Sequence, residues 1–491
     1  MITRAHPRVN INVGLRYDYF GNVRNRGNQN PTGFFLGSGS NIFEQIQNGR
    51  VLTEQNAPDR AMFRSDNFNI APRLGFALAL TADHRTTLRG GYGMSYERPT
   101  SNLAFNIVNS LQSINAISLT SSALGVGTIP LTTSNFGIFG GSSGAVALPP
   151  TIVAGFQRDD FETARVHFWN LALERELLFH TVGSIQYAGS AGRNLYALSN
   201  INRTGAGAAF LGNPVPTARL NLSNGPIYFF NNDGRSNYHA LIAELSNNTW
   251  RSIGLQFTAR YRYSKAMDNL NTISTNGFAN FLNPFDPGLD YGPADYDLRH
   301  RFIASFNWEV PFDRLGGSGI LTQALGGWEV TGIVQARSGN RFTIFNCARA
   351  ATADSPCPRV LVNGDVSSTG IDDSAPDTTI PNRFAFLDVT NFNFGSFFNP
   401  ATGSSDVGPF PSSMIGRNFF RGPRYWTFDA GIHKRFRLSE DAGLQFRAEL
   451  YNVFNHANLF VPNGVDLNST TLVPAFRSGR RHLQLAVKLT F

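Results

Sequence analysis

Two groups of residues have the types and spacing that catalysis could use. Gly140, Ser142 and Gly144 match the G-x-S-x-G pattern, in which a sharp turn exposes a serine nucleophile. That turn needs a strand before it and a helix after it, whereas this copy lies in a loop rich in Gly and Ser. Asp429 and His433 offer an acid and a base such as barrel-embedded hydrolases place near their outer rim. We expect no catalytic residue in either group.

The loop that precedes residue 300 has side chains that could bind a metal ion. Four aspartates lie close together among Gly and Pro residues: Asp286, Asp290, Asp295 and Asp297. Carboxylate oxygens suit Ca²⁺, but Asp is also common in turns because its side chain bonds nearby backbone groups. The sequence contains no phosphate-binding loop and no paired-histidine metal motif. We therefore expect neither a metal nor a cofactor.

The two cysteines of the chain, Cys347 and Cys357, lie in one loop. A zinc site there would lack its other ligands, whereas a local disulfide is compatible with an oxidising compartment. We predict that the two cysteines form a disulfide.

The elements that must position these residues are strands. From Ile253 to Lys265, apolar residues occupy every second position and Gln, Thr and Arg fill the positions between. The last residues, His482 to Phe491, alternate in the same way and end on an aromatic residue. This period of two predicts strands with one apolar and one wetter face. The apolar face must meet either a protein core or lipid.

Similar alternation predicts about twelve strands, and their connections are short and long in turn. The remaining segments are Val9–Tyr19, Leu74–Leu80, Leu88–Tyr96, Phe168–Leu178, Val182–Gly189, Tyr238–Asn247, Phe302–Val310, Trp328–Ala336, Trp426–Ile432 and Leu444–Leu450. The longest connection, 338–423, is predicted to be one large folded loop. Outer-membrane barrels have this asymmetry of short periplasmic turns and long extracellular loops. Sandwiches and propellers seldom keep all long loops at one end.

Composition agrees with a membrane barrel. Charged residues make up 15% of the chain, against roughly 25% in soluble domains, and 42 of the 491 residues are Phe. No apolar run reaches the roughly 18 residues of a spanning helix, so any span must consist of strands. The net charge is +8, but the arginines are scattered singly through aromatic strands, which argues against nucleic acid as a partner.

The polar faces favour lipid over a dry core. Pairs such as Arg260 with Arg262, and Arg447 with Glu449, would be intolerable in a dry core unless paired but suit a wet lumen. Aromatic residues near strand ends are predicted to form girdles at the two lipid interfaces, the alternative being ordinary core aromatics. They are Tyr17, Tyr19, Tyr96, Trp169, Tyr261, Tyr263, Trp308, Trp328 and Trp426.

Five segments resemble the barrel of Oar-like TonB-dependent outer-membrane transporters. They are LRGGYGMSYERP from Leu88, IQYAGSAGRNLY from Ile185, YGPADYDLRHRF from Tyr291, GGWEVTGIVQARSGNRFTI from Gly326 and FRAELYNVFNHANL from Phe446. The resemblance covers nearly the whole chain, and the last segment is its most specific part. It implies an all-β, antiparallel up-and-down transmembrane barrel. It also implies that Phe491 ends a signal read by the barrel assembly machinery.

The chain also departs from that family. Its members carry a signal peptide, a TonB box and a plug domain before the barrel, and none is recognisable here. Their barrels have about 22 strands around a plugged lumen. We therefore expect residues 1–491 to be the carboxyl-terminal barrel part of a longer protein, with Val9–Phe20 as the only segment here that could close on the terminal strand.

These expectations lead to a functional hypothesis. The chain is expected to act in the bacterial outer membrane, where it contacts lipid and takes up or binds an unidentified extracellular ligand. Energy would come from the TonB system through the missing plug. The alternatives are a self-contained porin or adhesin barrel and, less favoured, a barrel-embedded hydrolase.

Overall fold

The computed structural model describes most of the strand-forming sequence. Its residues are 2–6, 8–21, 33–52, 66–98, 153–156, 161–250, 253–270, 281–312, 320–347, 356–364, 366, 383–388, 392–393, 408, 410–439, 442–466 and 472–491. The Gly140–Gly144 pattern lies outside these residues. No helix in the described part of the chain is long and apolar enough to cross a membrane.

Seventeen strands join in one sheet, and thirteen of them follow one another in chain order. Each of the thirteen is antiparallel to the next. They are β1 (Ile2–His6), β2 (Val9–Asp18), β3 (Asn69–Ala79), β4 (Thr86–Glu97), β5 (Ala164–Glu176), β6 (Val182–Asn200), β7 (Ile227–Trp250), β8 (Leu255–Asp268), β9 (His300–Glu309), β10 (Trp328–Arg337), β11 (Tyr425–Arg437), β12 (Gly443–Tyr451) and β13 (His482–Thr490).

Short elements occupy the connections, most of them in the long ones. The other four strands of the large sheet are Gly33–Phe35, Arg50–Leu52, Val153–Phe156 and Gly292–Pro293. Three small sheets join Arg341–Phe345 with Phe420–Arg421 and Gly464–Asp466, Leu361–Val362 with Phe392–Asn393, and Arg383–Asp388 with Leu472–Ser478 and Asn458–Phe460. The α-helices are α1 (Ile42–Gln47), α2 (Ala206–Leu211) and α3 (Ile320–Leu325), and Leu178–His180 and Pro287–Asp290 are 3₁₀ turns.

The alternation of short and long connections that the sequence predicted is confirmed. Only two residues separate β1 from β2, and six separate β3 from β4, whereas 50 residues lie between β2 and β3. All the shorter connections fall at one end of the sheet, which we call the short-turn rim, and the long ones form the opposite long-loop rim. The thirteen strands of the ladder in the described residues agree with the prediction of about twelve, and β1 is the one strand outside the predicted segments.

Pairing keeps the apolar residues of all these strands on one face. Val330 on β10 pairs with Trp308 on β9 and with Ile432 on β11. Ile432 pairs with Ala448, which pairs with Leu485 on β13. Large apolar side chains on this face are exposed, and Leu485 is 71% accessible. Soluble monomers rarely expose an apolar patch of more than a few hundred Å², so this face requires an apolar environment.

Strands β6 and β7 extend well beyond the segments predicted at Val182–Gly189 and Tyr238–Asn247. β6 runs on to Asn200 and β7 already begins at Ile227, with Tyr228 opposite Asn200. These extensions bury Leu198 and Phe230 in a small core at the long-loop rim. The alternation fails there because neither face of the extended ladder needs to meet lipid.

The segment 338–423 and the loop before β13 together form a hydrophobic core at the long-loop rim. The core consists of Phe342, Ile344, Val360, Phe392, Ile415, Phe420, Val461 and Val465. Phe342 and Phe420 stack with ring centroids 5.5 Å apart. These contacts make the described part of the segment a packed structure at the long-loop rim.

The terminal strand does not pair with Val9–Phe20 in the described residues. β13 pairs with β12, while β2 pairs with β1 on one side and β3 on the other. The backbones of β1 and β13 thus form the two edges of the ladder. Backbone groups at such edges need partners in hydrocarbon, from each other or from further strands.

The assignment of the two faces predicts opposite effects for neighbouring substitutions. Val334 on β10 pairs with Ala304 and Phe428 on the apolar face, and the adjacent Ile333 pairs with Asp429 on the polar face. Val334→Arg should lower the unfolding free energy in lipid vesicles by about 2–4 kcal/mol, because it places a charge in hydrocarbon. Ile333→Arg should change it by less than about 1 kcal/mol. Equal losses in guanidinium titrations would contradict the assignment.

Candidate functional site

The polar face of the sheet carries ion pairs between neighbouring strands. Arg260 Nε lies 3.2 Å from Glu244 Oε2, and Arg89 Nε lies 3.3 Å from Glu174 Oε2. The arginine side chains remain 52% and 59% exposed. Water therefore limits each pair to at most about 1 kcal/mol. A face with this character is a wet lumen wall.

A compact group of charges surrounds His433 on β11. Its Nδ1 lies 3.8 Å from Glu329 Oε2, and its Nε2 lies 3.5 Å from Glu449 Oε1. Arg435 Nη2 contacts the same Glu329 oxygen at 2.9 Å. The imidazole is buried between the two carboxylates. Alternating charges of this kind can hold a complementary charged segment that enters the lumen.

A groove of about 490 Å³ also opens on the polar face. Side chains from six successive strands or their ends line it, among them Asn248, Gln256, Ser305, Thr331, Asp429 and Glu449. Because consecutive strands from β7 to β12 share one groove, the polar face is concave. The groove is thus part of the lumen.

Asp429 and His433 do not form a catalytic pair. Both side chains are on the polar face of β11, but a spacing of four residues in a strand separates them by about 13 Å. Asp429 Oδ1 accepts the backbone N–H of Asn452 at 2.7 Å, and His433 lies between Glu329 and Glu449. The geometry thus removes the only acid–base pair that the sequence offered for a hydrolase.

Arginines of the segment 338–423 are bound to the loop between β8 and β9. Arg341 Nε lies 3.2 Å from Asp297 Oδ2, and Arg359 Nη1 lies 2.5 Å from Asp290 Oδ1. Both carboxylates are buried. These contacts tie the segment to the long-loop rim.

A third arginine makes the most extensive set of contacts. Arg417 Nη2 donates a hydrogen bond to the Asp268 carboxylate, which lies at the long-loop end of β8. Its Nη1 lies 3.5 Å from Asp295 Oδ1. It also donates to the backbone carbonyls of Asp290 and Leu270. We call the buried side chains of Arg341, Arg359 and Arg417, with their four aspartate partners, the rim cluster.

Desolvation dominates the energetics of the rim cluster. Burial lowers the pKa of the Arg359 guanidinium from its ordinary value, and the adjacent Asp290 carboxylate opposes that shift. Buried pairs add little net stability, but loss of one partner leaves an uncompensated charge and costs about 3–5 kcal/mol. The cluster therefore favours one arrangement of the loops, since an arrangement that leaves one of these charges buried without its partner carries that cost.

The aspartate side chains of the loop before residue 300 accept hydrogen bonds from other groups of the protein. Asp286 accepts the Gly288 N–H at 3.1 Å, Asp295 accepts Asn418 Nδ2 at 2.6 Å, and Asp297 accepts the Ala266 N–H at 2.9 Å. In the part of the chain that the structure describes, no group of three His, Cys, Asp or Glu side chains is placed to hold a metal ion. Asp286 makes a local turn contact, whereas Asp290, Asp295 and Asp297 bond with groups that are distant in sequence.

Buried asparagines join the other loops at the same rim, and sequence reasoning missed them. Asn202 Nδ2 donates to the backbone carbonyls of Asn221, Asn224 and Gly225. Asn221 Nδ2 in turn donates to the carbonyls of Ile46, Gln47 and Gly49, which closes the loop that contains α1. No local pattern distinguishes these asparagines from ordinary turn residues, because their partners are distant in sequence.

The predicted girdle residues divide between the two rims. Trp308 and Trp328 lie towards the short-turn rim, and the others lie towards the long-loop rim: Tyr17, Tyr19, Tyr96, Trp169, Tyr261, Tyr263 and Trp426. Lys434 Nζ lies 5.1 Å from the centroid of the Trp328 ring while it donates to the Ala324 carbonyl. A lysine whose hydrocarbon stem packs on an apolar surface while its ammonium group bonds polar groups is typical of a lipid interface. The girdle itself stays a prediction.

The remaining predicted residues lie at opposite ends of the sheet. Phe491 follows β13 at the short-turn rim and is 98% exposed. Its role in assembly stays a prediction. Cys347 and Cys357 are joined by a disulfide beside the long-loop rim, with their Cα atoms 4.4 Å apart.

The difference between the buried and the wet ion pairs gives a matched test. Arg359→Ala should destabilise the detergent-solubilised protein by about 3–5 kcal/mol, because it leaves Asp290 buried without its cation. Arg260→Ala in the lumen should cost at most about 1 kcal/mol. The double replacement Arg359→Met with Asp290→Leu should recover most of the loss. Similar melting temperatures for both single variants would contradict a desolvated rim cluster.

Comparisons with known proteins agree with this architecture. A family model described as "Outer membrane beta barrel domain" matches residues 3–484. No curated protein matches the sequence. Similar solved structures include the outer membrane transporter YddB from Escherichia coli, with 12% identity, a TM-score of 0.45, and coverage of 87% of this chain and 41% of that chain.

Two structures from Pseudomonas aeruginosa align over 100% of this chain. FpvA, solved with heterologous pyoverdines, has 11% identity and a TM-score of 0.43 with 37% of that chain covered. The ferric enterobactin receptor PfeA has 13% identity and a TM-score of 0.43 with 43% covered. The chain thus spans less than half the length of these proteins. By its match over nearly all residues, the chain belongs to the outer membrane beta barrel domain family and is a β-barrel protein of the bacterial outer membrane.

Proposed function

We propose that this chain is the barrel of a TonB-dependent, Oar-like transporter that takes up or binds an extracellular ligand. The observation that carries the proposal is the rim cluster, which fixes a folded loop structure at one end of a wet lumen. A simple porin wall needs no such structure. The five Oar-like sequence segments support the same assignment.

The loops at the long-loop rim are suited to ligand recognition because they are preorganised. Arg359 and Arg417 are buried against Asp290 and Asp268, and the core around Phe342 packs beneath them. A surface that is already ordered loses little conformational freedom when a ligand binds. The described part of the segment 338–423 therefore forms the main recognition surface in this proposal.

The lumen supplies the second part of the proposed function. The charges around His433 and the groove beside Asp429 face the interior, where a plug domain would sit in a transporter of this class. Energy for uptake then reaches the barrel through that plug from TonB.

The barrel assembly machinery is the proposed partner of β13, and Phe491→Ala should slow insertion into the outer membrane in pulse-chase labelling.

A self-contained porin or adhesin is the second candidate, and the open polar groove favours it. It differs from a transporter in conductance. A barrel without a plug should form stable open channels in planar bilayers, whereas a plugged transporter should remain closed.

The proposal can be tested on the endogenous full-length protein, carrying an affinity tag inserted between residues 367 and 380. Cross-linking in living cells should capture TonB, and the purified protein should not conduct ions in a planar bilayer. A matched strain that lacks TonB serves as the control. Stable open channels together with no TonB cross-link would overturn the transporter assignment and support the porin.

A further inference from the structure

Three tyrosine–histidine pairs repeat along the apolar face near the long-loop rim. In each pair the phenol oxygen lies within hydrogen-bond distance of a histidine Nδ1, at 2.7–2.8 Å. The pairs are Tyr92 with His167, Tyr187 with His239 and Tyr261 with His300. They join β4 to β5, β6 to β7 and β8 to β9, so every second pair of neighbouring strands from β4 to β9 contributes one.

The geometry of the three pairs is the same. Each tyrosine lies two residues, towards the short-turn rim, from the residue that pairs directly with the histidine. Those direct partners are Met94, Gly189 and Tyr263. Gly189 leaves space for the Trp169 indole, whose ring centroid lies 6.0 Å from that of His239. A repeated arrangement on three strand pairs is a built feature of the face.

The three histidines also form a straight row. His167 pairs with Ala191 on β6, and Ala191 pairs with Asn237 on β7. Asn237 lies two residues from His239, in the direction of the long-loop rim. His239 pairs with Lys265 on β8, and His300 pairs with Tyr263 on the same strand. Lys265 lies two residues from Tyr263, again in the direction of the long-loop rim. Both steps have the same size and direction, and two strand spacings with a two-residue offset separate neighbouring histidines of the row by about 12 Å.

Cations accompany the row on the same face. Lys265 is exposed and pairs directly with His239, and the Arg299 guanidinium lies 5.7 Å from the centroid of the Tyr263 ring. Arg165 lies two residues from His167, in the direction of the long-loop rim, and pairs with Arg193 on β6. Glu162 lies 3.0 Å from Arg165 and offsets one of these four positive charges.

Hydrogen bonding adds donors to these charges. A phenol that donates to Nδ1 leaves the histidine proton on Nε2, and protonation of the ring keeps a proton there. The Nε2–H groups of His239 and His300, both exposed, are then available as donors. Together with Lys265 they suit an anion with several acceptor oxygens.

The row lies near the long-loop edge of the apolar band, which is about 25 Å tall in outer-membrane barrels. His300 begins β9, and Trp308 lies eight residues further, at the short-turn rim. That spacing corresponds to about 26 Å along the strand, or about 20 Å across the membrane for a strand tilted by about 40°. Below the row the face is apolar, with Leu171, Ile185 and Leu241 exposed. Acyl chains fit below the row, and charged groups fit beside it.

We propose that this row binds the phosphate groups of lipid in the outer leaflet, with the acyl chains against the apolar face below. The complementary charge, the repeated donors and the adjoining apolar wall match a phosphorylated glycolipid better than a protein partner. The inference depends on the long-loop rim being extracellular and is independent of TonB. The row would fix the depth and tilt of the barrel.

The test is native mass spectrometry of the full chain in neutral detergent, with added diphosphoryl lipid A. Lys265→Gln combined with His239→Gln should reduce lipid affinity by at least about fivefold, given about 1 kcal/mol for each cation at a membrane surface. His84→Asn, in the turn between β3 and β4 at the opposite rim, is the matched control and should leave affinity unchanged. Heat-modifiable gel mobility verifies that each variant is folded.

Three further results decide the proposal. Dephosphorylated lipid A should bind at least about fivefold more weakly, and inorganic phosphate should not displace the diphosphoryl form. If the double variant does not fold, Tyr187→Phe removes one phenol hydroxyl while it keeps the ring, and it should also weaken binding. Equal binding of phosphorylated and dephosphorylated lipid, or unchanged affinity in the variants, would overturn the proposal.

Discussion

The structure depends on one constraint, which is that a strand in hydrocarbon must satisfy every backbone N–H and C=O group through its neighbours. The eleven inner strands, β2 to β12, meet this constraint on both sides by pairing in chain order, whereas β1 and β13 are paired on one side in the described residues. A ladder of this kind fixes the direction of each side chain. A shift of one residue in register would turn Leu485 to the lumen and Lys488 to the lipid.

Two kinds of polar contact follow from that arrangement. In the lumen, Arg260 and Glu244 remain partly exposed, so their pair is weak and exchangeable with water or another charged group. At the long-loop rim, Arg359 and Asp290 are buried, and neither can leave without a large desolvation penalty. The lumen wall therefore adapts to what enters it, while the rim keeps one shape.

Much of the sheet could be predicted because lipid and water on opposite faces impose a period of two. The strand expected at Ile253–Lys265 is observed at Leu255–Asp268. The extensions of β6 and β7 beyond the lipid lack that period and were missed. The rim cluster was also hidden from sequence, since Arg359 and Asp290 are 69 residues apart and each looks like a surface residue. Asp429 and His433 share a face, but their spacing along one strand keeps them apart.

The central claim is that one face of this sheet contacts lipid and the other lines a wet lumen. Single spin labels placed at each position from 255 to 261 in β8, with the protein in lipid vesicles, would test it most directly. Accessibility to oxygen should be high at Leu255, Phe257, Ala259 and Tyr261, and accessibility to a polar nickel complex should be high at Gln256, Thr258 and Arg260. Accessibility without a period of two, or with the two faces reversed, would contradict this account.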